Sequence, residues 1–185
     1  MGEALNLAVK LGLKHSMDII VPNLTLGMAE SAGPKVMENV VGAVPWAWRI
    51  PELKNFERGK KFVADFAETY RSYPSSSAAS AYSILYEYKA AVERAGTFDT
   101  KKVIKALEGH KYTLLKDEQL WRKFDHQNTQ SVYAVKGKLR SEVLADKFQQ
   151  DYFEIIADLS GSEAARTKAE WLKVRKAANM PESLE

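Results

Sequence analysis

Residues 75–96 read SSSAASAYSILYEYKAAVERAG, and their reading organises the rest of the chain. The stretch follows Pro74 and opens on serines, so Ser76 or Ser77 is expected to accept a hydrogen bond from the first free amides of a helix. It closes at Gly96, where a left-handed residue past the last turn costs little. Between these ends Ala78, Ala81, Tyr82, Leu85, Tyr88, Ala91, Val92 and Ala95 recur at three- and four-residue steps, the spacing of a helix and not of a strand. Alanines on that stripe permit close approach to a neighbouring sheet or helix. Tyr82 falls near the amide-rich start, where a phenol packs on an apolar neighbour and still makes a hydrogen bond. It reads equally as a helix-core tyrosine and as a binding residue.

Upstream, residues 3–11 (EALNLAVKL) predict a short helix with Ala4, Leu5, Ala8 and Leu11 inward, stopped by Gly12. Residues 17–21 (MDIIV) predict a buried strand bounded by Pro22. Helix, glycine and buried strand make the αβ step of an α/β fold. Loops at the carboxyl ends of such strands hold ligands, and Asn23 and Thr25 bring hydrogen-bonding side chains there. The alternative is that they cap the helix running to Ala32. Residues 40–44 (VVGAV) predict a second buried strand, leading into PWAWRIP, where Trp46 and Trp48 would share one face of an extended segment. That pair either walls a cleft or plugs a core edge. Residues 52–70 predict an amphipathic helix, and Asp99-Thr100 caps another that ends at Gly109. Beyond His110, residues 132–135 and 152–156 read as strands, residues 121–127 as a third, and Ser162 as the cap of a last helix to about Ala178. A tail, residues 180–185, follows.

Composition excludes several chemistries. The chain has 185 residues, with 45% hydrophobic and 28% charged side chains and a formal charge of +3, which is ordinary globular material without a clustered basic face for nucleic acid. There is no cysteine, hence no disulfide and no thiolate ligand or nucleophile. His15, His110 and His126 have no partner at metal-ligand spacing, and no metal or cofactor is expected. Neither a GxSxG elbow nor a glycine-rich phosphate loop is present, so no catalytic residue is assigned. Asp125 and His126 are sequence neighbours that point apart on a strand, and His126 reads as structural. No run approaches the roughly 20 apolar residues of a membrane span. Residues 1–14 contain acidic Glu3 and no apolar segment with a cleavage site, so no signal peptide is read there, and composition alone would place the chain in the cytoplasm.

Four segments together resemble a known family: ALNLAVKLGLK followed by DIIVPNL; AGPKVMENVVGAVPW; NFERGKKFVADFAETYRSYPSSSAASAYSILYEYKAAVERAG; and KKVIKALEG. Their order and spacing over residues 3–137 are similar to the second half of type I periplasmic solute-binding proteins, the branched-chain amino-acid-binding class that serves ABC importers. Residues 138–185 fit less clearly. The resemblance implies an α/β, periplasmic-binding-protein-like type I fold with an incomplete two-lobed architecture, a C-terminal fragment. Residues 1–45 would be part of the second lobe, 46–120 helices of the first lobe, 121–160 return strands of the second lobe, and 161–185 a C-terminal helix and tail. It further implies a non-enzymatic, periplasmic or membrane-tethered protein that closes on a small amino-acid or amide-like solute and meets an ABC permease, without nucleic acid.

On the same map the expected ligand-binding residues are Asn23, Thr25, Trp46, Trp48 and Tyr82. Amino-acid-binding members often carry an acidic side chain in the loop between Pro22 and Met28, and this chain has none there. An α/β enzyme fragment and a ligand-sensing receptor domain are the alternative readings. Helices shaped to cover an absent sheet would expose their apolar stripes, so self-association of the fragment is expected.

Overall fold

The computed structural model describes residues 2–184. Met1, of the residues 1–14 read for a signal peptide, and Glu185, of the 180–185 tail, lie outside the described residues. Near the amino terminus, helix α1 (Gly2–Lys10) turns at Gly12, whose φ of 71° favours glycine, into a single 3-10 turn. Strand β1 (Ile20–Val21), helices α2 (Leu26–Ala32) and α3 (Pro34–Met37) and strand β2 (Val41–Val44) follow. Helices α4 (Ile50–Leu53), α5 (Glu57–Tyr70), α6 (Ser76–Ala95) and α7 (Thr100–Leu107) come next, then short strands β3 (Lys111–Tyr112), β4 (Gln119–Trp121) and β5 (Asn128–Thr129). The chain returns through β6 (Val132–Gly137), α8 (Arg140–Ala145) and β7 (Phe153–Leu159) to α9 (Gly161–Ala164) and α10 (Lys168–Ala177).

Two sheets organise this α/β chain. One has the order β1-β2-β6-β7, with β1 parallel to β2 and the other pairs antiparallel; the second is the antiparallel ribbon β3-β4-β5. The larger core lies on the first sheet, where Leu5, Leu24, Met37, Val40, Val44, Ile50, Tyr133, Val135 and Val143 are buried together. Each fully buried aliphatic side chain there contributes about 1.5–3 kcal/mol. A smaller core of Trp46, Ala79 and Leu115, flanked by Phe62, Val63 and Tyr82, joins α5 and α6 to the turn after β3.

The chain passes between two units: the α/β unit, which is the four-stranded sheet with its core, and the helical unit, which is α5 to α7 with the β3-β4-β5 ribbon. It does so at three crossings: residues 44–46 with the following α4, whose Ile50 still packs in the sheet core, residues 130–132 and residues 159–161. At the third, a Cβ on Gly161 would lie 2.8 Å from the Gln130 nitrogen, so this crossing lies against the second. Lys116 is 2% exposed, and its Nζ donates to the main-chain oxygens of Pro45 and Ser131, each at 2.7 Å. Gly59 in α5 lets this turn seat closely, since a Cβ there would sit 2.1 Å from the Leu115 oxygen.

Several sequence expectations need correction. Ser75, not Ser76 or Ser77, caps α6 by accepting from the Ala78 nitrogen, because the helix begins one residue earlier; Gly96 ends it in the left-handed region as expected. The apolar stripe of α6 faces the core only in part: Ala91 is buried and Tyr82, Val92 and Ala95 are half-buried, but Leu85 and Tyr88 are 69% and 50% exposed, while Ala79 and Glu87, off the stripe, are buried. Residues 123–125 turn instead of continuing a strand, and the sheet pairing of β4 ends at Trp121. Asn55 adopts a left-handed φ of 60°, which breaks the 52–70 helix into α4 and α5. The last helix is two pieces, capped by Ser160 and Thr167. Strand β1 covers only Ile20–Val21, so Met17 lies outside it and is exposed; Ile20 is exposed too, while Val21 is buried and Ile19 packs on the core. Ala4 and Leu11 are exposed as well, so α1 buries Leu5 but not its predicted full stripe.

Burial pushes the Lys116 ammonium down to about 8, against an opposing pull from Asp117. Between that value and the ordinary lysine value the unfolded chain holds a proton that the folded chain has lost, so stability rises with pH across the window. Burial, with the Asp146 hydrogen bond at Tyr73, pushes the phenols of Tyr73 and Tyr112 up to about 12. Above roughly pH 10 the folded chain therefore holds the extra protons and stability falls. Urea midpoints are expected to peak near about pH 10, and Lys116→Met to erase the rise from about pH 8. A wild-type midpoint that falls steadily across that range would contradict the assignment.

Candidate functional site

Where the carboxyl end of β1 meets the amino end of α6, a cleft of about 340 Å³ opens between the two units. One wall is the loop after β1 and the start of α2: Thr25, Leu26, Gly27 and Glu30. The other is the α5–α6 connection, with Phe66, Ser72, Tyr73 and Ser75 to Ser77. Other cavities border this molecule, but this one takes its lining from both the strand-end loop and the helical unit.

Local sequence positions each wall. The Leu24 nitrogen donates to the Ala43 oxygen at 3.0 Å, which ties the loop to β2. Thr25 Oγ1 then accepts from the Met28 nitrogen at 3.2 Å and starts α2. Thr25 is thus a helix cap and a cleft residue at once. On the opposite wall Arg71 takes a left-handed φ of 54° to end α5, and the chain reverses into Pro74 and the serines. The Ser76 and Ser77 amides open a 20-residue helix and have no intrahelical acceptor, so the positive end of its dipole faces the cleft.

A polar network spans the two walls. Gln150 Oε1 accepts from Ser72 Oγ at 3.0 Å and from the Tyr73 nitrogen at 2.8 Å, while its Nε2 donates to Glu30 Oε1 at 2.6 Å. Gln150 is itself held by its own nitrogen on Asp146 Oδ2, and the Tyr73 hydroxyl donates to Asp146 Oδ1 at 2.9 Å. Glu30 is the one charged side chain of the lining. The cleft accordingly offers a carboxylate on one side and helix amides on the other.

The five residues expected from sequence do not converge on one cavity. Thr25 lines the cleft, and Asn23 is exposed beside it in the same loop. Trp46 is buried, and its Nε1 donates to the Pro74 oxygen at 3.1 Å, directly before the serines. Trp48 stacks on Tyr73 with ring centroids 3.8 Å apart. Tyr82 packs on Phe62 at 4.9 Å, Phe62 packs in turn on Phe66, and the Tyr82 hydroxyl accepts from Arg58 Nε at 3.1 Å. Trp46 and Trp48 therefore touch residues that precede or form the cleft, Tyr82 reaches Phe66 only through Phe62, and none of the three lines it. The tryptophans diverge because the chain bends at Pro45 and turns at residues 48–49 into α4 instead of staying extended.

Glu30, Gln150, Phe66, Tyr73 and the serine hydroxyls were not legible as site residues. Glu30 lies beyond the loop in sequence, and Gln150 is 120 residues away from it. The serines carried a signal, as a run at a helix start, but it read as capping. His126 pairs with Glu108 at 2.9 Å, and Arg122 forms an ion pair with Asp125, so this region holds a structural network. Among the described residues no group of three His, Asp or Glu side chains is placed to hold a metal. None of the described helices is long and apolar enough to cross a membrane.

A family model described as periplasmic binding protein matches residues 2–142. No curated protein sequence matches the chain. Among solved structures, a periplasmic binding protein from Burkholderia mallei is similar at 22% identity and a TM-score of 0.77, over 91% of this chain and 43% of that one. A branched-chain amino acid ABC transporter periplasmic ligand-binding protein from Burkholderia xenovorans is similar at 22% identity and 0.74, again over 91% and 43%. A solute-binding protein of an ABC transporter from Rhodopseudomonas palustris, in complex with 3,4-dihydroxybenzoic acid, is similar at 18% and 0.64, over 86% and 42%. The chain thus spans about 43% of the length of the first of these structures. With more than half of its residues matched by the family model, the chain belongs to the periplasmic binding protein family and carries part of the type I fold.

Proposed function

We propose that this chain supplies one side of a solute cleft in the substrate-binding component of an ABC importer, and that it binds without chemical conversion. The observation that carries the proposal is the cleft lined jointly by Thr25, Glu30 and the 72–77 segment at the border of two units joined by crossings. Such a border closes when a ligand makes better contacts in the closed state than in the open one. Residues up to about 45 and the return strands act as the second lobe, and the helices between them as part of the first. The importer's permease is the partner of the closed, loaded form.

The solute we infer is a branched-chain amino acid or a related small polar or amide-bearing molecule. Glu30 meets its amino or amide nitrogen, which replaces the acidic group that the 22–28 loop lacks. The α6 amides meet a carboxylate or carbonyl, and Phe66 and Tyr73 contact its apolar part. Asn23 acts at the rim, while Trp46, Trp48 and Tyr82 hold the lining from behind. The aromatic lining also favours a second reading, an aromatic acid such as the one in the Rhodopseudomonas palustris complex.

In a two-lobed protein carrying this chain, calorimetry with leucine, glutamine and 3,4-dihydroxybenzoic acid separates these readings. For a zwitterionic solute, Glu30→Gln is expected to weaken binding about 10- to 100-fold through loss of a charge-assisted hydrogen bond of about 1.5–3 kcal/mol. Unchanged affinity for an amino acid removes Glu30 from the site, and tight binding of the aromatic acid alone selects the second reading. Conversion of any bound solute would overturn the non-enzymatic assignment.

The exposed α6 stripe supports a further proposal, that the chain by itself associates through Ile84, Leu85 and Tyr88. Light scattering at about 100 µM is expected to report a mass near or above twice 20.8 kDa, and Leu85→Lys with Tyr88→Lys to return it to one copy. A wild-type monomer at that concentration would end this reading.

A further inference from the structure

Lys116 is a long, charged side chain with almost no exposure, and the candidate cleft makes no use of it. Its ammonium is bonded at 2.7 Å both to the Pro45 oxygen in the first crossing and to the Ser131 oxygen in the second. The face of Tyr133, at the start of β6, lies 5.2 Å away. Asp117, the next residue, accepts from the Ser131 hydroxyl and from the Tyr133 hydroxyl. Lys116 and Asp117 stand in the β3–β4 turn, which belongs to the helical unit, whereas Tyr133 belongs to the four-stranded sheet. One dipeptide therefore ties two crossings to each other and to the strand that leaves them.

We propose that Lys116 and Asp117 form a latch at the crossings that sets the angle between the two units, and so the balance between open and closed forms of the cleft. A bonded ammonium fixes the separation of the two carbonyls, and the chain passes from one unit to the other through those carbonyls. A change in the angle between units must rotate the peptide planes at Pro45 and Ser131, and with them the direction of both acceptors. The latch resists that rotation, because a buried ammonium that loses one acceptor is left with an uncompensated charge. Gln150 also ties the units together, but across the cleft itself, where a solute competes with it. Lys116 lies outside the cleft lining, so its hold persists whether or not the cleft is filled.

The inference rests on the reading of two units that move about a cleft, but its test uses no solute, so the two can fail separately. The chain has no cysteine of its own, and Lys35 on α3 and Lys101 on α7 are exposed, one on each unit. Spin labels at Lys35→Cys and Lys101→Cys report the distance between units by pulsed electron resonance. The labelled chain is expected to give one narrow distribution, and Lys116→Met to shift it or broaden it about twofold, with helix content retained by circular dichroism. Lys116→Gln keeps a donor in the slot and is expected to fall between the two. An unchanged distribution in whichever variant folds overturns the latch. Loss of fold in both also overturns it, because a latch confined to the crossings leaves the buried cluster on the four-stranded sheet intact.

Discussion

A buried ammonium shared by two main-chain carbonyls sits at the waist of this molecule, and much of the architecture follows from it. Removing a lysine charge from water costs several kcal/mol unless its donors are met. Here two carbonyls meet it, an aromatic face lies beneath it and Asp117 stands beside it. Those carbonyls belong to Pro45 and Ser131, the places where the chain leaves and re-enters the four-stranded sheet. A single side chain thereby converts separate crossings into one joint. Trp46 extends the joint by binding the Pro74 oxygen, which places the serines at the cleft.

The two cores on either side of this joint are unequal. The sheet unit buries a continuous apolar cluster from Leu5 to Phe153. The helical unit buries Trp46, Ala79 and Leu115, with aromatic neighbours only partly covered, and leaves Leu85 and Phe98 to solvent. Low burial of that kind places a region at the weaker end of local stability. The cleft lies between the firm unit and the yielding one, and its walls are joined by hydrogen bonds through Gln150 and by Tyr73, whose ring packs on Phe148 and whose hydroxyl donates to Asp146. Contacts of that type can be exchanged for contacts with a solute at small net cost. The same inequality leaves Leu85 and Tyr88 on α6 exposed.

Local periodicity and end chemistry carried the α/β class, the positions of α1, α2, α5, α6 and α7, the left-handed end at Gly96 and the Asp99 cap, since these depend on residues within a few positions of one another. The order of the segments carried the family resemblance for the same reason, because it is a property of the chain read end to end. Spacing also showed that α6 has an apolar stripe. It did not show which side of the helix this chain would bury, because that depends on what stands opposite.

Tertiary structure decided the rest. It brought Glu30, Gln150 and the 72–77 turn to one cleft although they lie far apart in sequence, and it turned Trp46 and Trp48 to different neighbours within four residues. It also gave Lys116 its partners, 71 residues upstream and 15 downstream. A lysine in a loop reads as a solvated charge until the crossings close around it. Local pattern determines which elements form and where they end; which polar groups must satisfy one another is determined only when distant segments exclude water together.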